Sequence, residues 1–196
     1  MTTTTSKTKR NILEVARQLF AKKGVENTTI NEIADISEYG RRTIYTYFKN
    51  KKEIYRAVIS SEIESMHKAL EEVMKRDLPA DDMLMLFTFA RLRVIKEVVT
   101  RNGTLRADFF RDIWAVETVR KEFDKKEIKY LENILTKGVE EDVFDIKNPS
   151  KIAEILHYAL KGLEVPTIRG VLNLRYDISE DREIVHDLIF KGLNNK

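Results

Sequence analysis

The spacing of its apolar residues constrains this chain more than any other feature. Across residues 9–23 they fall at Ile12, Leu13, Val15, Ala16, Leu19 and Phe20, one stripe along an α-helix. The same three- and four-residue spacing returns at Ile54, Tyr55, Val58, Ile59, Ile63, Met66, Leu70, Val73 and Met74, over 83–99, and at Ile152, Ile155, Leu156, Ala159, Leu160 and Leu163. No stretch sustains the period-two alternation of a half-buried strand. Seven glycines and three prolines in 196 residues are too few for the turns of an all-β chain. The expectation is an all-α fold of about nine helices.

Punctuation residues divide the stripes. Residues 1–6 read as a disordered lead. Gly24 follows Lys22 and Lys23, cations in a last helical turn before a residue that tolerates positive φ. Thr29-Ile30-Asn31-Glu32 is a capping box for a short helix through Ile33, Ala34 and Ile36. A break over 37–40 precedes a second short helix over 41–48, with Ile44 and Phe48 on its inner face. A long helix runs from Lys52 or Glu53 to a stop before Pro79. Asp81 is the expected cap of the next helix, which Asn102-Gly103 closes. Further helices are expected from about Thr104 to Trp114 and from about Glu117 to Glu141. Asn148-Pro149 opens another, which Pro166 ends or kinks. A loop over 167–179 and a last helix capped by Ser179 complete the chain.

Charge is unevenly shared. The net +3 conceals eleven lysines and arginines against five acids in residues 1–52, on a remainder that is slightly acidic. One basic end is suited to a polyanion. Three helices in that segment are too short to persist alone and must pack through Leu19, Phe20, Ile30, Ile33, Ala34, Ile44 and Phe48. Two short helices around a tight break, the second basic, form a helix-turn-helix candidate. Such a second helix enters the major groove with its N-terminal residues at base edges, here Gly40-Arg41-Arg42-Thr43. Arginine donates bidentately to guanine; threonine, tyrosine and lysine bond phosphate oxygens.

At these residues the chain resembles the TetR family of transcriptional regulators. The likeness rests on Ile12, Ala16, Leu19, Phe20 and Gly24, on Thr28-Thr29-Ile30 with Ile33-Ala34, on Thr43-Ile44-Tyr45 with Tyr47-Phe48, and on Lys51 with Ile54. It covers residues 9–59; Gly138 to Phe144 ahead of Asn148-Pro149 adds a looser similarity. The resemblance implies that Thr29 and Asn31 contact backbone or base, that Arg41, Arg42 and Tyr45 read bases, and that Thr43, Thr46, Tyr47 and Lys51 hold phosphates. Glu38 stands where members usually carry glycine, and Gly40 stands at the cap.

The same resemblance implies a helix-turn-helix DNA-binding domain over 7–52 and an effector-binding and dimerisation domain over 53–196. Its implied partners are double-stranded DNA with a roughly palindromic operator, a second copy of the chain, and a small-molecule effector. The function implied is a transcriptional regulator, a repressor that its effector releases, with the long helix after residue 53 as transmitter. The helices over 149–165 and 180–193 are the dimerisation candidates. Phe87, Phe110, Trp114, Tyr130 and Tyr158 are the ligand-binding candidates, drawn from an aromatic stock that also holds Phe89, Phe109 and Phe123. Arg91, Arg93 and Arg106 are expected at the surface.

Other classes fit less well. The chain has no cysteine, which excludes disulfides, thiolate metal sites and a cysteine nucleophile. His67, His157 and His186 lack ligand-like spacing, so neither metal nor cofactor is expected. There is no phosphate-cradling glycine loop, nucleophile elbow or HExxH, which argues against an enzyme. No signal peptide or membrane-spanning run is read, and the expected location is the cytoplasm. The rival reading is a helical adaptor that lays its basic N-terminal helices on a membrane surface.

Overall fold

The computed structural model describes the backbone of residues 2–103 and 113–193, with side chains described for 7–103, 120–189 and 191. Eight helices and no strand occur among the described residues. They are α1 (Thr2–Lys23), α2 (Ile30–Ser37), α3 (Arg41–Tyr47), α4 (Lys51–Met74), α5 (Ala80–Arg101), α6 (Ile113–Glu140), α7 (Pro149–Ile168) and α8 (Ser179–Leu193). The fold is all-α, as the apolar spacing requires. The helix expected from about Thr104 falls almost wholly on 104–112, outside the described residues. The chain is already helical at Ile113, ahead of the expected start at Glu117.

Two compact units emerge, residues 1–65 with 98–120 and residues 66–97 with 121–196. In the first, α1 contributes Ile12, Ala16 and Phe20, α2 contributes Ile33 and Ala34, α3 contributes Ile44, and α4 contributes Ile54, Val58 and Ile59, all buried. Phe48, just past α3, is buried with them, and Tyr55 meets the Phe20 ring edge-on at 6.3 Å. Helices of 8 and 7 residues cannot hold themselves in water. Burial of this aliphatic set holds them, at about 1.5–3 kcal/mol for each large side chain fully removed from water. The lead over 1–6 is corrected: α1 begins at Thr2. No glycine or proline interrupts residues 2–9, and each residue added to an existing helix gains a hydrogen bond at little further cost.

The end of α5 belongs to the same unit. The Asn102 amide is buried and donates to Glu62 Oε2 at 2.6 Å and to the Val98 carbonyl at 2.7 Å. Arg101 Nε donates to the same Glu62 oxygen at 2.9 Å. Arg17 of α1 donates to the Arg101 carbonyl at 3.3 Å. Gly103 follows at φ +46°.

In the second unit the core is Leu70 and Val73 of α4, Leu84, Phe87 and Leu92 of α5, Phe123, Leu131 and Leu135 of α6, and Ala153 and Leu160 of α7. The α6 helix closes tightly: the N–H groups of Val143 and Phe144 both donate to the Gly138 carbonyl, at 2.8 and 3.0 Å. The Phe144 ring then lies where a Cβ on residue 138 would be, 2.0 Å away, so only glycine fits.

Three local expectations change. The first N–H of α5, that of Ala80, is taken by Glu141 Oε2 at 2.9 Å. Asp81, expected as the cap, sits inside the first turn, where its charge still suits the helix dipole. Asn148 does cap α7, accepting from the Lys151 N–H at 3.0 Å. That helix continues through Pro166 to Ile168, because a proline two residues from the end removes a single bond. Arg91, expected at the surface, is 2% exposed. Its Nε lies 2.9 Å from Glu127 Oε1 and its Nη2 lies 2.7 Å from Glu164 Oε1. Two buried carboxylates on other helices make its burial tolerable. Arg93 is exposed beside Glu97, and Arg106 lies outside the described residues.

A candidate nucleic-acid interface

The helix-turn-helix pair is set by its caps. Thr29 adopts extended backbone, its hydroxyl oxygen accepts from the Glu32 N–H at 3.2 Å, and its own N–H donates to Glu32 Oε2 at 2.9 Å. Both arms of the expected capping box are present. Glu32 also pairs with the Lys23 ammonium at the end of α1. That ammonium, followed by the Thr29 N–H, pushes the Glu32 carboxyl down to about 2. Buried Thr28 anchors the approach, its hydroxyl donating to the Gly24 carbonyl at 2.8 Å.

The turn follows at Glu38, which takes a left-handed conformation, φ 58° and ψ 25°. Its N–H donates to the Asp35 carbonyl at 3.4 Å, and the Tyr39 N–H donates to the Ala34 carbonyl at 3.2 Å. These bonds satisfy carbonyls that the end of α2 would otherwise leave open. Gly40 caps α3 without a side-chain bond. The turn thus has the shape a glycine would give, at the steric cost of a Cβ in that region.

The sequence-expected residues separate by exposure. Thr29, Asn31, Arg41, Arg42, Tyr45 and Thr46 are exposed, while Thr43, Tyr47 and Lys51 are half-buried. Tyr45 is 46% exposed, and Ile44 beside it is fully buried, which fixes how α3 is rolled on the core. Arg41 and Tyr45, and likewise Arg42 and Thr46, are four residues apart and so neighbours on the open side of α3.

Besides Thr29, whose hydroxyl is engaged with Glu32, two of these side chains have internal hydrogen-bond partners. The Thr46 hydroxyl donates to the Arg42 carbonyl at 3.0 Å; to donate to a phosphate it must rotate away. Lys51 donates from Nζ to the carbonyls of Val25 and Glu26, at 2.7 and 3.1 Å. It ties the loop after α1 to the start of α4 and keeps one N–H of its three. Asn50 Oδ1 accepts from the Glu53 N–H at 2.9 Å, and the Glu53 carboxylate accepts from the Lys49 N–H at 2.5 Å. Asn50 therefore caps α4 through its side chain, and Glu53 reaches back to the residue before that cap.

Among the ligand-binding candidates, Phe87 is fully buried, and Tyr130 meets it edge-on at 6.3 Å. His67 lies against Tyr130, ring centroids 5.7 Å apart. Tyr158 is 63% exposed. Phe110 lies outside the described residues, as does the side chain of Trp114. A cavity of about 460 Å³ opens along α5 in the second unit, lined by Phe89, Ala90, Arg93 and Lys96 with Thr167 and Tyr176. Phe89 and Tyr176 meet edge to face there at 5.6 Å. Tyr176 belongs to a segment with no periodic signal, so the sequence offered no reason to join it to Phe89.

Residues 12–58 match the profile of bacterial regulatory proteins of the tetR family. The chain is 25% identical to the HTH-type transcriptional regulator YhgD of Bacillus subtilis, over 85% of this chain and 93% of that one. It is 22% identical to the HTH-type transcriptional regulator QacR of Staphylococcus aureus, over 85% of this chain and 89% of that one. The fold matches the crystal structure of a transcriptional regulator from Cytophaga hutchinsonii with a TM-score of 0.71 at 23% identity, covering 93% of this chain and 96% of that one.

Proposed function

We propose that the chain, whose residues 12–58 match the tetR family of bacterial regulatory proteins, is a regulator of that family that binds an operator as a homodimer and represses transcription until a small-molecule effector releases it. The observation that carries the reading is the open side of α3, where Arg41, Arg42, Tyr45 and Thr46 are exposed while Ile44 is buried. Residues 7–52 form the DNA-binding domain and residues 53–196 the effector-binding and dimerisation domain. Arg41, Arg42 and Tyr45 read bases. Thr29, Asn31, Thr43, Thr46, Tyr47 and the remaining Lys51 proton hold the phosphate backbone and set the register.

A stripe of exposed apolar residues supports the dimer. Ile155 and Tyr158 are 56% and 63% exposed on α7, followed by Val165 on the same face, and Ile184 and Leu188 are exposed on α8. These are the helices expected to pair. Two copies related by a two-fold axis match a roughly palindromic site. Tyr158 suits this face, while Phe87, Tyr130 and the cavity beside Phe89 suit the effector. No described helix is long and apolar enough to cross a membrane.

Release is a matter of linkage. An effector that binds better to the dimer geometry that fits DNA poorly shifts the population toward it, by no more than its differential affinity for the two states. The test is selection of bound duplexes from a random pool with the full chain, beside sedimentation with anionic vesicles. The expected result is an enriched palindrome bound by two chains. Vesicle binding with no enriched sequence would overturn the reading in favour of a membrane-surface adaptor.

A further inference from the structure

We infer that the second unit contains a binding site for a divalent transition-metal cation, formed by Asp124 and Glu127 of α6 and His157 of α7. One ligand atom from each lies within 4.8 Å of the others. The acids are three residues apart, on one face of α6, and the histidine comes from the neighbouring helix.

The surroundings orient these groups as a metal's outer shell does. Each carboxylate is held by a cation through one oxygen: Glu127 Oε1 lies 2.9 Å from Arg91 Nε, and Asp124 Oδ2 accepts from Lys161 Nζ at 2.7 Å. The other oxygen of each faces the imidazole. Glu127 Oε2 lies 3.1 Å from Nδ1, and Asp124 Oδ1 lies 3.5 Å from Nε2.

A second observation is independent of that clustering. The side chains of His157 and Glu127 are 0% and 1% exposed. Neither ring nitrogen, nor Glu127 Oε2, nor Asp124 Oδ1 has a hydrogen-bond partner. Buried polar atoms in folded chains are nearly always satisfied, and these four atoms have only one another, so the place has room in its bonding for a further group. The charges agree. Asp124, Glu127 and Glu164 outnumber Arg91 and Lys161 by one when the imidazole is neutral, so the place attracts a cation. One imidazole nitrogen with carboxylate oxygens, and no thiolate, suits zinc, manganese or iron(II) over calcium or magnesium, which prefer oxygen alone.

The test uses the full chain, dialysed against chelator and then equilibrated in turn with Zn²⁺, Mn²⁺, Co²⁺ and Ca²⁺ at neutral pH. The expected result is about one transition-metal ion retained per chain by elemental analysis. Melting should rise by about 5 °C or more with zinc and little with calcium. Cobalt should give a visible absorption band that zinc displaces. Asp124→Asn and His157→Gln should each lose the retained ion, and His186→Gln should keep it. If either ligand variant fails to fold, zinc displacement of the cobalt band in the unaltered chain still decides the matter. No retained ion and no band, or retention unchanged in both ligand variants, would overturn the inference.

Discussion

A Cβ placed on Gly103 would lie 2.6 Å from the carbonyl oxygen of Ala21. The contact is with backbone, so no side-chain rotation relieves it, and the φ of +46° at Gly103 adds strain for any other residue. Gly103→Ala should therefore destabilise the chain by about 2 kcal/mol, read as a lower denaturant midpoint. Unchanged stability would mean that the turn after α5 does not press on α1 in solution.

Arg42 sits in the first turn of α3 with its side chain open to solvent. Arg42→Ala should weaken operator binding by about 1–3 kcal/mol and relax preference at one base position. The measurement is repeated duplex selection with the variant. A uniform loss across all sequences would move Arg42 to the phosphate-contacting group.

Lys51 has two tasks that separate experimentally. It holds the carbonyls of Val25 and Glu26, so Lys51→Ala should lose roughly 1 kcal/mol of stability. Its remaining proton is assigned to phosphate, so the salt dependence of binding should also fall by about one unit of slope. Lower stability with an unchanged slope would leave Lys51 as a loop tie alone.

Glu32 gives a pH signature. Its carboxyl is pushed from an ordinary 4.5 to about 2 in the folded chain, chiefly by Lys23. A depressed carboxyl contributes stability that is fully present above the unfolded value and drains as pH falls through the folded one. Wild type should exceed Glu32→Gln in melting temperature above about pH 4.5, with the gap closing as pH approaches about 2. A gap that stays constant with pH would show that the ionised carboxylate contributes nothing to the cap.

Much of the first unit was legible because its signals are local. The Thr29 to Glu32 capping box, the Gly24 stop and the inward pair Ile44 and Phe48 lie within a few residues of the partners they imply. Glu38 was harder: its αL backbone is dictated by the packing of α2 against α3, which overrides the preference for glycine. The second unit hid its polar chemistry. Arg91 looks like a surface cation in an apolar helix, and nothing near it in sequence announces Glu127 or Glu164. His157 likewise reads as a lone histidine until α6 and α7 pack together. Helical periodicity reveals which face is buried and is silent about a charge buried on that face.

The burial of Arg91 between Glu127 and Glu164 limits how this unit can deform. Sliding α5 one turn past α6 or α7 would strand a guanidinium without its counterions in a dry interior, whereas a purely aliphatic seam could slip and repack. The three helices are keyed in register like wards in a lock. Motion that reaches this part of the chain must carry them together as one block.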